Sequence, residues 1–304
     1  MIADGQLVGA HGFHRDIPLE VHRRLGEERG FGRALSLAAL RAGDQVVATA
    51  RRPEQLDELV AEFGDSILPL ALDVTDPARV VDALHEAREH FGRIDVVVNN
   101  AGYANVAPIE TASEEDFRRQ FETNFWGVYH VSRAAIPLLR EQGSGLIVQF
   151  SSVGGRVGGT PGLASYQAAK FAIDGFSRSL RAEIAPFGTK VLVVEPSGFR
   201  TDWAGSSMEV QEVPEEYAAT VGAGGGALRT LASEAPGDPA RVAEILVALA
   251  KRSEIPENLP VGVNATEMAV ALDRKLLVSD LLWGPVSRSA DIGEPFPVDF
   301  PPQP

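Results

Sequence analysis

The chain has 304 residues, 44% of them hydrophobic, with 28 basic against 42 acidic side chains and a formal charge of −14. That length accommodates one α/β domain with a large core, and the acidic surplus repels phosphate backbones and anionic bilayers, which argues against a nucleic-acid partner. With no cysteine, disulfides, thiolate catalysis and cysteine-ligated metals are ruled out by inventory. The histidines at 11, 14, 22, 85, 90 and 130 show no metal-ligand spacing, so no metal is expected.

Runs rich in β-branched residues recur at Gln45–Ala50, Ile67–Leu72, Ile94–Val98, Leu146–Phe150 and Lys190–Val194, each sized for a strand buried on both faces. Helix-start signals stand between them: Pro53 after Arg52, the pair Asp76-Pro77, and Ser113 with Asp116 three residues on, ahead of a helix expected from Glu114 to about Leu139. Such alternation implies right-handed crossovers, and hence a single doubly wound parallel sheet of the α/β class, the Rossmann fold, with helices on both faces. Beyond the fifth run the rhythm breaks. Residues 206–236 hold Gly222, Gly224, Gly225 and Gly226 among prolines and acidic residues, and are expected to form a mobile excursion serving as a substrate lid. Asp238-Pro239 opens a helix to about Lys251, and a last helix is expected from about Thr266 to Asp280. The tail, 287–304, carries Pro295, Pro297, Pro301, Pro302 and Pro304 and cannot sustain a helix or a sheet interior. The domain is expected over 20–286, behind an irregular extension over 1–19 that lacks the apolar stretch of a secretory signal. No apolar run approaches the ~20 residues that span a bilayer, so the expected setting is cytoplasmic, without membrane contact.

Tyr166 and Lys170 stand four apart in the helical stretch Ala164–Ile184 and share one helix face. A phenol is a poor acid or base near neutrality, but a neighbouring ammonium lowers its pKa by ~1–3 units, which suits carbonyl and alcohol chemistry. Alone, the spacing describes equally well an ordinary lysine beside a packing tyrosine. Ser152 follows the strand Leu146–Phe150, at the carboxyl end where ligands bind in open α/β sheets, and its hydroxyl there can donate to an oxygen becoming alkoxide-like. The plain alternative is a turn-forming serine. Asn99-Asn100-Ala101-Gly102 ends the strand Ile94–Val98 in the same way, its small residues letting backbone approach a flat ligand. Asn124 falls inside a helix, where an amide is disfavoured unless it bonds to backbone groups or water.

In this order and at these spacings, Asn99-Asn100-Ala101-Gly102, Asn124, Ser152, Tyr166-Gln167-Ala168-Ala169-Lys170 and Glu195-Pro196-Ser197-Gly198 resemble the short-chain dehydrogenases/reductases, over about Gly26 to Asp291. The resemblance implies reversible reduction of a ketone or aldehyde, with Tyr166 as the catalytic acid/base. It gives Lys170 the tasks of lowering the Tyr166 pKa and holding the nicotinamide ribose, Ser152 that of orienting the substrate oxygen, and Asn124 that of anchoring a proton-relay water. Asp73 and Val74 would then contact the adenine, Asn100, Ala101 and Gly102 would support the cofactor, and Pro196 and Thr201 would flank nicotinamide and pyrophosphate. Ser197 stands where a glycine is usual. A small carbonyl or alcohol substrate and a homodimer or homotetramer are implied as well. At the end of the second strand, Ala50-Arg51-Arg52 supplies no acidic residue for the ribose hydroxyls. Arg51, with Arg29 in the preceding loop, instead offers planar donors to a 2′-phosphate, so NADP(H) is the expected cofactor; surface arginines are otherwise merely solvated.

At the start of the domain the likeness fails. The family opens with an apolar strand and a Thr-Gly-x-x-x-Gly-x-Gly turn, whereas this chain has His22-Arg23-Arg24-Leu25-Gly26-Glu27-Glu28-Arg29-Gly30-Phe31-Gly32. Gly26, Gly30 and Gly32 keep the spacing that brings a pyrophosphate against the N-terminus of a helix over Phe31–Ala42. Arg23 and Arg24 nevertheless occupy the place of a central strand, and an unpaired buried ion costs several kcal/mol. A reading-frame slip in the source gene would account for this: His-Arg-Arg-Leu can be encoded as CAC CGG CGC CTC, which one base later reads Thr-Gly-Ala-Ser, a common turn of the family. A damaged first strand favours a second reading, a non-catalytic dinucleotide-binding sensor or scaffold, whereas the complete set Asn124, Ser152, Tyr166 and Lys170 favours the enzyme.

Overall fold

A computed structural model describes residues 6–10, 30–201, 208–224, 235–293 and 300–301. Its central sheet has seven strands: β1 (Gln6–Ala10), β2 (Gln45–Ala50), β3 (Ile67–Ala71), β4 (Val96–Asn99), β6 (Gly145–Phe150), β7 (Thr189–Pro196) and β9 (Asn258–Val261), in the order β3-β2-β1-β4-β6-β7-β9. A separate two-stranded ribbon joins β5 (Ala104–Val106) to β8 (Met208–Val210). The helices are α1 (Gly30–Arg41), α2 (Asp57–Phe63), α3 (Pro77–Phe91), α4 (Glu114–Phe121), α5 (Gly127–Gln142), α6 (Gly154–Val157), α7 (Ala164–Ile184), α8 (Pro239–Ala250) and α9 (Ala265–Arg288).

The strand sequences dictate a sheet covered on both faces. In β6, Leu146, Val148 and Phe150 pack with α1 and α8 through Leu35, Leu40 and Leu246, while Ile147 points the other way into a cluster with Val80, Leu84, Val131, Leu139 and Leu180 from α3, α5 and α7. The helix starts fall where the capping residues place them. Asp76 accepts from the amides of Ala78 and Arg79, Ser113 accepts from Asp116 at 3.3 Å, and Asp238 accepts from Ala240 at 2.9 Å.

The centre of the sheet departs from expectation. The place between β2 and β4 is taken by Gln6–Ala10, from the stretch expected to be an irregular extension, and it runs antiparallel to both neighbours. The remaining pairs, β2 with β3, β4 with β6, β6 with β7 and β7 with β9, are parallel. Gln-Leu-Val-Gly-Ala carries no charge to desolvate, which the arginines expected at this position do. The charged stretch 20–29, including Gly26 and Arg29, lies outside the described residues.

Other elements refine the expectation. The helix from Glu114 is interrupted by a π-helical turn at Glu122–Trp126, which contains Asn124. The last helix continues to Arg288, past Asp280 and into the tail. Within 206–236 the described residues include β8, followed after 211–214 by short helical turns at Glu215–Tyr217 and Ala218–Gly222.

Candidate active site

At the carboxyl ends of the parallel strands lies one cleft of 2620 Å³, lined from Gly30 at the start of α1 to Thr201 beyond β7. This is the crevice that the topology of an open α/β sheet creates, and nearly every singled-out residue that is described borders it. Gly30, Gly32, Arg51, Asp73, Val74, Asn100, Ala101, Gly102, Ser152, Tyr166, Lys170, Pro196 and Thr201 all line its walls. Asn124 sits just behind them, fully buried.

The first turns of α7 present Tyr166 and Lys170 together, both buried. Lys170 Nζ donates to the Phe150 carbonyl at 2.7 Å, and the Ser151 hydroxyl donates to the Lys170 carbonyl at 3.0 Å, so the helix is bonded to the end of β6 at two points. Gly155 allows this approach. A Cβ there would lie 2.7 Å from Lys170 Cβ and 2.9 Å from its carbonyl carbon, closer than side-chain carbons sit. Ser152 Oγ accepts from the Gly154 amide at 3.0 Å, donates towards the Pro196 carbonyl at 3.4 Å, and shares a hydrogen bond with the Tyr166 phenol.

Electrostatics here run against the simple pairing argument. Burial pushes the Tyr166 phenol up to about 12, with the Ser152 hydrogen bond pulling only partly the other way. Burial also brings the Lys170 amine down to about 8. Lys170 Nζ stands 5.8 Å from the Tyr166 ring centroid and bonds to the Phe150 carbonyl rather than to the phenol. Desolvation, not the adjacent ammonium, therefore sets the direction, and at neutral pH the phenol keeps its proton.

Asn124 has both amide atoms engaged by one neighbour: Oδ1 accepts from the Tyr103 amide at 3.0 Å and Nδ2 donates to the Tyr103 carbonyl at 2.9 Å. This clamps the loop after β4 onto the π-helical turn. Gly102 fits beneath, since a Cβ there would meet Asn124 Oδ1 at 2.7 Å and Lys170 Nζ at 3.4 Å. A π-turn at a site-bordering residue is a recurrent device for re-aiming one helical position.

At the other end of the cleft, Arg51 and Arg52 are exposed at the end of β2. Arg33 joins them from α1, held by Glu58 at 2.7 Å; its place four residues beyond Arg29 is the only sequence signal for it. Asp73 Oδ1 accepts from the amide and hydroxyl of Thr75, the strand-end cap that its position allows. Ser197, in a glycine's usual place, keeps an ordinary backbone angle, since Asn264 is the only non-glycine with positive φ among the described residues. Its hydroxyl donates to the Val263 carbonyl at 2.8 Å.

Sequence reasoning missed a polar cluster behind this wall. The Glu195 carboxylate, 1% exposed, accepts from Arg156 at 3.3 Å and from Asn258 at 2.6 Å; Asn258 also donates to Asp174, and Arg156 reaches Asp273 of α9 at 2.7 Å. The cluster joins the helix after Ser152, the strand end before Pro196 and the helix of Lys170. Its signal was Glu195 itself, a carboxylate continuing the apolar run Val191–Val194.

The family model for short chain dehydrogenases matches residues 25–212. An oxidoreductase of Botryotinia fuckeliana is 49% identical over 266 residues, covering 87% of this chain and 97% of the relative. A 3-ketodihydrosphingosine reductase of Bacteroides thetaiotaomicron is 34% identical over 195 residues, 64% of this chain and 70% of that protein. Among solved structures, a short-chain dehydrogenase from Streptomyces avermitilis superposes with a TM-score of 0.81 at 38% identity, over 88% of this chain and 97% of that one. An alcohol dehydrogenase from Thermococcus sibiricus complexed with 5-hydroxy-NADP has a TM-score of 0.62 at 26% identity, over 77% and 92% of the two chains.

Proposed function

Because the chain belongs to the short-chain dehydrogenase/reductase family of oxidoreductases, we propose that it interconverts a ketone or aldehyde and the corresponding alcohol, using NADP(H) and Tyr166 as the proton-transfer group. The observation that carries this reading is the convergence of the Ser152 hydroxyl and a desolvated, protonated Tyr166 phenol at the carboxyl end of β6, with Lys170 one helical turn away.

A dinucleotide suits the residues of the cleft. Gly30 has φ +77° at the start of α1, with no other described residue within 4 Å of where a Cβ would stand, which suits a pyrophosphate approaching the helix N-terminus. Gly30, Gly32, Asp73, Val74, Asn100, Ala101, Gly102, Pro196 and Thr201 would hold the cofactor along the strand ends. Lys170 would meet the nicotinamide ribose. Arg51, standing at the strand end Ala50-Arg51-Arg52 where NAD enzymes of the family usually place an acidic residue for the ribose hydroxyls, supports the choice of NADP(H). When bound, NADPH supplies the hydride.

The chain's own residues do the rest. Ser152 donates to the substrate oxygen and orients the carbonyl, and Tyr166 releases its phenolic proton to that oxygen as it becomes an alkoxide. With burial raising it to about 12, the phenol is protonated at neutrality and so carries the proton that reduction of a carbonyl consumes. Leu163 and Met208 pack with Tyr166 and, with Val157, give the cleft an apolar wall. The test is to follow NADPH absorbance with a panel of ketones and aldehydes. Consumption that stops in Tyr166→Phe supports the enzyme; tight NADPH binding without turnover of any carbonyl supports the sensor.

A further inference from the structure

Charge is divided unevenly along the cleft. Apart from Lys170, every charged residue described in its lining falls between Arg33 and Glu122, on the side where Arg33, Arg51 and Arg52 stand. From Phe150 onward the described lining is uncharged except for Lys170, whose amine is already bonded to the Phe150 carbonyl. On this uncharged side the turn after β9 and the first turn of α9 reach the cleft with Val263, Asn264 and Met268. Val263 is 50% exposed and Met268 41%, so two apolar side chains stand open in the wall of a ligand cleft.

Their placement is fixed from three directions. Ser197, in the place where the family usually has glycine, donates to the Val263 carbonyl at 2.8 Å. Gly262, at φ +94°, lets the turn lie against the end of β7, since a Cβ there would stand 2.6 Å from the Phe199 ring. Asn264 takes a left-handed φ of 60°, and its carbonyl accepts from the Met268 amide at 2.9 Å, which starts α9. Further along α9, Asp273 pairs at 2.7 Å with Arg156 of α6, the short helix after Ser152 that supplies Val157 to the same wall.

On the reading of the cleft as a carbonyl-reducing site, we propose that Val157, Val263 and Met268 seat an apolar chain of the substrate. The substrate is then an uncharged carbonyl compound bearing such a chain, and Ser197 is a positioning residue for the seat. A carboxylate or phosphate at this end would meet no described cation but the engaged Lys170.

Calorimetric titration of the full chain in excess NADPH with unbranched secondary alcohols of increasing length tests this, because the reduced cofactor cannot oxidise them. In the wild type, affinity rises by up to ~4-fold per added methylene. Met268→Asp sets a carboxylate in the seat and weakens the longest alcohol by ~10-fold or more, with NADPH affinity as in the wild type. Ser197→Ala removes only the tether on Val263 and lowers the gain per methylene towards ~2-fold, a change that a merely structural hydroxyl would not produce. A flat series in the wild type overturns the proposal. So does a rise that survives Met268→Asp unchanged, or a loss of NADPH affinity in that variant that matches its loss for the alcohols. The matching ketones are assayed for reduction alongside. A rising alcohol series in a chain that reduces none of them sinks the enzyme reading and leaves the seat; equal reduction of short and long ketones with a flat alcohol series keeps the enzyme and removes the seat.

Discussion

Replacing Lys170 by Met probes the desolvation that organises the site. With its amine brought from 10.5 to about 8 by burial, holding the charge at pH 7 costs the folded state about 3 kcal/mol. Methionine fills a similar volume without that penalty, but strands the Phe150 carbonyl that Nζ now meets at 2.7 Å, a loss of about 1–2 kcal/mol. The net expectation at pH 7 is a gain of about 1–2 kcal/mol, or roughly 2–6 °C in Tm. The pH dependence is the sharper test. Between about pH 8 and 10.5 the unfolded chain binds this proton and the folded chain does not, so wild-type stability rises with pH across that window. The variant lacks the rise, and its advantage shrinks and reverses by about pH 10. Thermal melts of both proteins from pH 7 to 10 measure the difference, in which groups common to both cancel. A stability difference that stays flat over the window would refute the buried-amine account.

Gly155→Ala should lower the melting temperature by an amount corresponding to about 1–3 kcal/mol, because the new methyl meets the Lys170 backbone at 2.9 Å and Ser151 Oγ at 2.6 Å; a melt identical to wild type would show that α6 and α7 yield freely. Arg51→Asp should weaken NADPH binding by ~10-fold or more while leaving NADH binding nearly unchanged, since it replaces a charge-assisted phosphate contact with repulsion. Titration calorimetry with each cofactor decides it, and equal wild-type affinities for the two would remove the 2′-phosphate from the argument.

Much of this arrangement is legible from local pattern. The strands from β2 to β7 that build the sheet announce themselves as apolar runs because both faces are covered, and the caps at Asp76, Ser113 and Asp238 are local hydrogen bonds that sequence spacing alone specifies. Tyr166 and Lys170 share a helix face for the same local reason. What stays hidden depends on partners distant in sequence. Gln6–Ala10 reads as an unremarkable short segment until β2 and β4 offer it their edges. The pKa of Tyr166 follows from burial in the assembled cleft, which no i, i+4 rule conveys. Likewise Glu195, Arg156, Asn258 and Asp174 meet across four separate elements, and Gly155 is required by Lys170, a residue of a different helix.

The central claim is that the Tyr166 phenol delivers the proton in NADPH-dependent carbonyl reduction. Single-turnover reduction by wild type and Tyr166→Phe, each saturated with NADPH, measures it directly on whichever carbonyl compound the panel identifies. The account predicts a rate lower by ~10²–10⁴-fold in the variant, with NADPH affinity and melting temperature close to wild type. An unchanged rate in Tyr166→Phe would contradict it.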